Sequence, residues 1–491
     1  MDVDRRQFIE TGLTAGLLSA CGLPTTASTE GGGGPAWHAG YRTAPAEGFD
    51  ASPMRLVQGK APTGLEGTLY RNGPAQFHYG NTHASHWFDG DGMIQRVHVE
   101  DGMAIHSGKF VETTKRTAEQ AADRFLADGF GTKGDPSYPV QSSDDVNAAN
   151  TSVVMAGGEL LALWEAGSPW RLDPETLESR GPKVWRDDLK GMPYLAHPKI
   201  EPDGRIWNLG VNGTRIAIYL AGADGELIDF GLTDMGVPAY LHDWAMTDRH
   251  LVILVQPWLR TRMIPPFVDS LEWHPEDGLK ILIVDKDDFS KTRWAQAPAR
   301  AFFHTGAAWE EDDGTIKLDV AFYDEPILGS GGGASEIKGT WTVAERPPYQ
   351  SKFSLLVIPP KGDARIIETA LDGDFPQVDP RRHGLNRHLS ALVTGVSDRH
   401  PGNTTLSVHD WDTGETDAFD FGSTRIAEEF LFAPKPGSSA ERDSWLIGPV
   451  LNIKAQTREI HVFDARKVSD GPVCTWMADY TWPLGFHGMW A

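Results

Sequence analysis

From about residue 55 onward the apolar residues fall into short runs closed by turn residues. LVILV at 251–255, LKILIVD at 279–285 and IHVFD at 460–464 are typical. Runs of this length, rich in β-branched residues and lacking helical spacing, predict strands. A loose rhythm recurs in which a strand ends on Asp and a polar turn leads onward: WRLDPETLES from Trp170, LIVDKDDFSK from Leu282, VHDWDTGETDAF from Val408 and HVFDARKVSDG from His461. Asp-Gly pairs at Asp203-Gly204, Asp224-Gly225, Asp277-Gly278 and Asp313-Gly314 supply further hairpin turns. The pattern predicts an all-β chain of repeated hairpins, as in a β-propeller, with a large sandwich or two stacked β domains as the alternative. One helical interlude is expected, over residues 117–130. GSGGGASE at 329–336 lacks the Lys-Ser/Thr of a phosphate loop and reads as a surface excursion. No internal stretch reads as a linker, so residues 35–491 are expected to form one domain.

Composition changes the picture in three places. The 53 glycines and 33 prolines fit many turns, and 40% hydrophobic residues can fill a sizeable core. A formal charge of -23 repels phosphate backbones, which argues against nucleic acid as a partner. Residues 1–34 read as an export signal and flexible tether. Arg5-Arg6 precedes a short apolar run, and Leu18-Ser19-Ala20-Cys21 resembles a lipoprotein box. The expectation is an exported bacterial protein, periplasmic or held at a membrane by a lipid on Cys21. Cys474 is then alone, which excludes a disulfide framework and a cysteine-based zinc site.

Four of the 17 histidines sit beside apolar or aromatic residues at predicted strand edges. They are His197 in YLAHPKIEPDG, His242 in YLHDWAMTDRH, His304 in AFFHTGAAWEED, and His487 in the closing WPLGFHGMWA. Each alone is an ordinary hydrogen-bonded core histidine. They lie too far apart in sequence for a local finger-type site, but a propeller points equivalent strand ends of different blades at one spot. Ring closure pairs the last strand with an early one, which would carry His487 to the axis. Four neutral imidazoles suit iron, copper, nickel or zinc, and the residues alone leave that choice open.

These segments, in this order, resemble the carotenoid cleavage oxygenase family, which includes lignostilbene dioxygenases and the retinal-pigment-epithelium isomerase. The most specific stretches are GTLYRNGPAQF from Gly67, HWFDGDGMIQRVHVEDG from His86 and ALWEAGSPWRLDPETLE from Ala162, joined by AHPKI, LHDWAMT, FHTGAAWEE and GFHG. The resemblance implies a seven-bladed propeller with a helical and loop cap over one face. It also implies one ferrous iron per chain on His197, His242, His304 and His487, with dioxygen as co-substrate. Glu165 and Glu429 match carboxylates that hold ligand histidines from behind. Asp374 stands where a glutamate is usual and, one methylene shorter, needs a backbone shift or a water to serve. Thr151 matches a threonine beside the vacant iron position. Trp258, Met263, Ile264 and Phe267 match an apolar patch at the tunnel mouth that would contact a membrane. The implied reaction cleaves a double bond of an apolar conjugated carotenoid or apocarotenoid into two carbonyl products. A phenolic stilbene is the alternative substrate, and an exported binding propeller the non-enzymatic one.

Overall fold

LVILV is buried along its whole length, and so is most of LKILIVD beside it, because each sheet is covered on both faces. The structure, a computed structural model, describes residues 34–329, 331–346 and 351–491. Arg5, Arg6 and Cys21 lie outside the described residues.

The strands form antiparallel, mostly four-stranded sheets arranged as seven blades. The second blade is Ser152–Ala156, Glu159–Leu163, Trp170–Leu172 and Ser179–Pro182. The third is Lys199–Ile200, Ile206–Asn212, Arg215–Ala221 and Leu227–Asp234. The next blades begin at Ala245–Met246, Ala301–Glu310, Gly373–Gln377 and Leu431–Pro434. Ala301–Glu310 touches the first strands of both neighbouring blades, Ala245–Met246 and Gly373–Gln377, as these strands line the inner ring. Apolar clusters fill the blade interfaces; the one between the fourth and fifth blades holds Val252, Leu254, Ile281, Ile283, Leu318 and Leu356. Each such side chain contributes roughly 1.5–3 kcal/mol on burial. Between the fifth and sixth blades stands a fully buried Arg387–Asp319 ion pair.

The last strand, His487–Trp490, pairs antiparallel with Gly67–Gln76, placing Asn72 opposite His487 and Leu69 opposite Trp490. It is the inner strand of the first blade. A second fastening lies at the rim, where Phe49–Gly59 pairs with Met103–Phe110 on one side and Cys474–Met477 on the other. The glycine after His487 has a specific cause: a Cβ on Gly488 would stand 2.2 Å from the carbonyl oxygen of Tyr70. Gly488→Ala is therefore expected to push the closing strand off its partner and cost about 1–3 kcal/mol of stability, read from denaturant unfolding.

Insertions between strands form a cap over the face where the inner strands begin. Phe88, Phe130 and Phe267 from these insertions pack with Tyr240, Phe303 and Trp258 in one cluster. The cap is built mainly of loops and short helices. The expected helix at 117–130 is instead Thr114–Ala122, capped by the Thr113 side chain and ended by Asp123 at φ 51°. It stops early because the Glu119 carboxylate accepts the amides of Leu126 (2.9 Å) and Ala127 (3.0 Å), turning the chain back. A five-residue helix, Ala334–Lys338, begins inside the glycine-rich excursion. Among the described residues no helix is long and apolar enough to cross a membrane.

Candidate metal centre

At or just before the start of four inner strands a histidine interrupts an apolar stretch. His197 lies just before Lys199–Ile200, His242 before Ala245–Met246, His304 inside Ala301–Glu310, and His487 opens the closing strand. The structure brings the four together: one ring nitrogen from each lies within 4.8 Å of all the others. The Nε2 atoms of His197 and His242 are 3.0 Å apart, and those of His242 and His304 3.3 Å.

Carboxylates hold three of the rings from behind. His242 Nδ1 donates to Glu165, His304 Nδ1 to Asp374 at 2.8 Å, and His487 Nδ1 to Glu429 at 2.9 Å. A proton committed to Nδ1 leaves Nε2 with a lone pair. Three lone pairs therefore converge with no proton to share, which is unfavourable unless a cation sits between them. Among the described residues, the carboxylates Glu165, Asp243, Asp374 and Glu429 ring the cluster beside two buried cations, Arg71 and Lys199, while the nearby Glu428 is matched by Arg458. A divalent ion balances that set. An all-imidazole donor group without thiolate suits a borderline transition metal.

The carboxylates are themselves positioned. Glu429 accepts from Arg71, from Gln377 Nε2 (2.7 Å) and from the Gly488 amide (3.0 Å). Tyr240 donates to Glu165 at 3.1 Å and Tyr323 to Asp374 at 2.8 Å. Asp374 reaches His304 directly. The register shifts between Asp374 and Gln377, and Phe375 takes a left-handed φ of 56°. This bulge provides the backbone displacement the shorter side chain needs.

Electrostatics follow these contacts. Burial, reinforced by the neighbouring imidazoles, holds His197 well below the usual histidine range. His487 is pushed down to about 4, burial outweighing Glu429. Burial also opposes charge on His304, but the Asp374 carboxylate overcomes it and the pKa is raised. The two differ in their neighbours: the His304 and His242 imidazoles lower His487 further, whereas Asp243 and Glu429 add to Asp374 in raising His304. Asp374→Asn is expected to weaken divalent-metal affinity about tenfold, measured by chelator competition.

Thr151 is buried beside the closing strand, its carbonyl accepting the His487 amide at 3.3 Å and its Oγ1 donating to Asn150 at 3.1 Å. The apolar patch divides. Met263 and Ile264 are 49% and 40% exposed, but Trp258 is 5% exposed. Trp258 cannot meet a lipid surface, because its ring packs edge-on against Tyr240 at 5.1 Å. Phe267 is half-buried against Phe130 and Tyr240. A cleft of about 530 Å³ opens here, walled by Trp258, Ile264, Leu271 and Trp273 together with the charged Arg262 and Asp269. Sequence reasoning passed over Arg71, Gln377, Tyr240, Tyr323 and Asp243. Three of these sit in segments it quoted, GTLYRNGPAQF and YLHDWAMTDRH, but nothing in the sequence pairs Arg71 with a glutamate 358 residues away.

Comparison with known proteins agrees with this geometry. The profile of the retinal pigment epithelial membrane protein family matches residues 43–491. The apocarotenoid-15,15'-oxygenase of Synechocystis sp. is 28% identical, over 93% of this chain and 96% of its own. The isoeugenol monooxygenase of Pseudomonas nitroreducens is 26% identical over 88% and 93%, and resveratrol cleavage oxygenase 1 of Aspergillus fumigatus 25% over 88% and 91%. The crystal structure of the cobalt-substituted Synechocystis apocarotenoid oxygenase superposes with a TM-score of 0.81 at 24% identity, covering 93% of this chain and 98% of that one. The reading as a non-enzymatic binding propeller falls with these matches. A seven-bladed ring with a four-histidine centre, matched by the family profile over most of its length, makes this chain an enzyme of the retinal pigment epithelial membrane protein family, the carotenoid cleavage oxygenases.

Proposed function

We propose that the protein is a non-haem iron(II) dioxygenase that cleaves a carbon–carbon double bond of a carotenoid or apocarotenoid, with one iron per chain and dioxygen as co-substrate. The observation that carries this reading is the junction of the histidine cluster with an aromatic wall. The ring of His242 lies 5.8 Å from Phe303, which leads to Phe88 at 6.3 Å; Tyr240 leads to Phe130 at 5.8 Å. When bound, ferrous iron supplies a coordination position and electrons for activating dioxygen. The overall change adds one oxygen atom to each alkene carbon as the double bond breaks, and it needs no proton from the protein. The chain's tasks are therefore to hold, align and keep dry. Aromatic side chains bind a polyene by burial and stacking. His197, His242, His304 and His487 hold the ion, and Glu165, Asp374 and Glu429 fix three of their rings. The Thr151 methyl restricts solvent beside His487. Met263 and Ile264, exposed over the cap, support contact with a membrane surface from which an apolar substrate is drawn. Export through the Arg5-Arg6 signal, with a lipid on Cys21, would place the enzyme at such a surface.

A phenolic alkene is the second reading, since the relatives named for isoeugenol and resveratrol cover nearly as much of this chain as the one named for an apocarotenoid. Incubation of the iron-loaded protein with carotenoids, apocarotenoids and hydroxystilbenes under isotopically labelled dioxygen tests both. The expected result is two carbonyl fragments of a polyene, each bearing label. Cleavage of hydroxystilbenes alone would favour the second reading, and inertness toward both classes would overturn the assignment.

A further inference from the structure

Asp243 follows His242 in the chain and is 1% exposed. Its Oδ1 accepts Lys199 Nζ at 2.6 Å and the Trp244 amide at 2.7 Å. Its Oδ2 accepts both the amide of Thr305, at 2.7 Å, and its hydroxyl, at 2.9 Å. Lys199 lies two residues beyond His197 and Thr305 one beyond His304. One carboxylate thus ties together the inner strands of three successive blades, each at the point where it carries a metal-facing histidine. His197 is also the histidine with no carboxylate at hydrogen-bonding distance: its Nδ1 stands 4.0 Å from Asp243 Oδ1.

We propose that Asp243, clasped by Lys199 and Thr305, is a positioning residue of the metal centre. It sets the spacing of the strands bearing His197, His242 and His304 and supplies beside His197 the negative charge that the other three rings obtain by direct contact. This rests on the reading of the four histidines as a divalent-metal site. The physical case is one of tolerance. A preorganised site needs its ligands held within about 0.5 Å, and apolar packing between twisted sheets is not directional enough to do that alone. Charge-assisted hydrogen bonds to a buried carboxylate are directional, and roughly twice as strong as neutral ones. An amide in its place loses the charge that pairs with Lys199 and must turn a donor toward one of the groups that now donate to it.

The test uses the full chain, stripped of metal and titrated with cobalt(II) against a competing chelator, in the parent protein and in Asp243→Asn, Lys199→Met and Thr305→Val. The expected result is cobalt affinity about tenfold weaker in Asp243→Asn and Lys199→Met. The visible absorption bands of bound cobalt should shift, because they report ligand geometry and a general loss of stability would leave them in place. Lys199→Arg should restore most of both. Thr305→Val keeps the side-chain volume and the Lys199 contact, so it should give a smaller change in the same direction if the harsher variants do not fold. Parental affinity and band positions in the variants would overturn the clasp while leaving the metal site intact. Failure of the parent protein to bind cobalt would overturn the metal-site reading and the clasp with it.

Discussion

The His487→Ala protein is expected to fold, yet to bind a divalent ion on the order of a hundredfold more weakly than the parent and to lose dioxygen-dependent cleavage. Structural zinc sites with four ligands are worth about 10–16 kcal/mol, so one ligand carries roughly 3 kcal/mol of affinity. Folding should survive because the carboxylate behind the ring keeps its other partners: Glu429 still accepts Arg71, Gln377 and the Gly488 amide. The backbone pairing of the closing strand with Gly67–Gln76 does not use the imidazole either. Metal analysis beside a thermal melt separates the two effects. A substitution that left metal content unchanged would mean that the carboxyl-terminal histidine holds no ion.

Arg71→Met is expected to cost about 3–5 kcal/mol of stability. The Arg71 and Glu429 side chains are 4% and 1% exposed, and removing one partner of such a pair leaves the other charge buried without compensation. Arg71 also donates to the Phe486 carbonyl at 2.8 Å, so it ties the early strand to the residue before the last ligand. Denaturant unfolding should show the loss, and Arg71→Met combined with Glu429→Gln should recover part of it by removing the stranded charge. Equal losses in the single and double variants would mean that the pair is not the source of the effect.

Much of this was legible in the sequence, for physical reasons that differ by element. Runs such as LVILV announce strands because a propeller blade is covered on both faces, so every position is apolar. The four histidines were legible through their neighbours, since AHPKI, LHDWAMT, FHTGAAWEE and GFHG each set a polar ring among residues that must be buried. Elements that depend on one side chain meeting distant backbone were hidden. The helix after Thr113 ends early because the Glu119 carboxylate captures Leu126 and Ala127, a contact that no periodicity encodes. The bulge that brings Asp374 to His304 sits at Phe375, a residue with no preference for left-handed backbone. Trp258 looked like a lipid anchor because it stands among Met263, Ile264 and Phe267, but only the fold shows Tyr240 waiting for its ring. The Asp after His242 and the Lys two places after His197 were printed in plain view, and only the ring brings them together.

Imidazoles from four separate blades should hold a single divalent ion. Iron-edge X-ray absorption on the reconstituted protein counts them directly. The spectrum should show one iron per chain with nitrogen or oxygen neighbours alone and outer-shell scattering that fits four imidazoles. A sulfur neighbour, or scattering that fits two imidazoles or fewer, would contradict this ligand set.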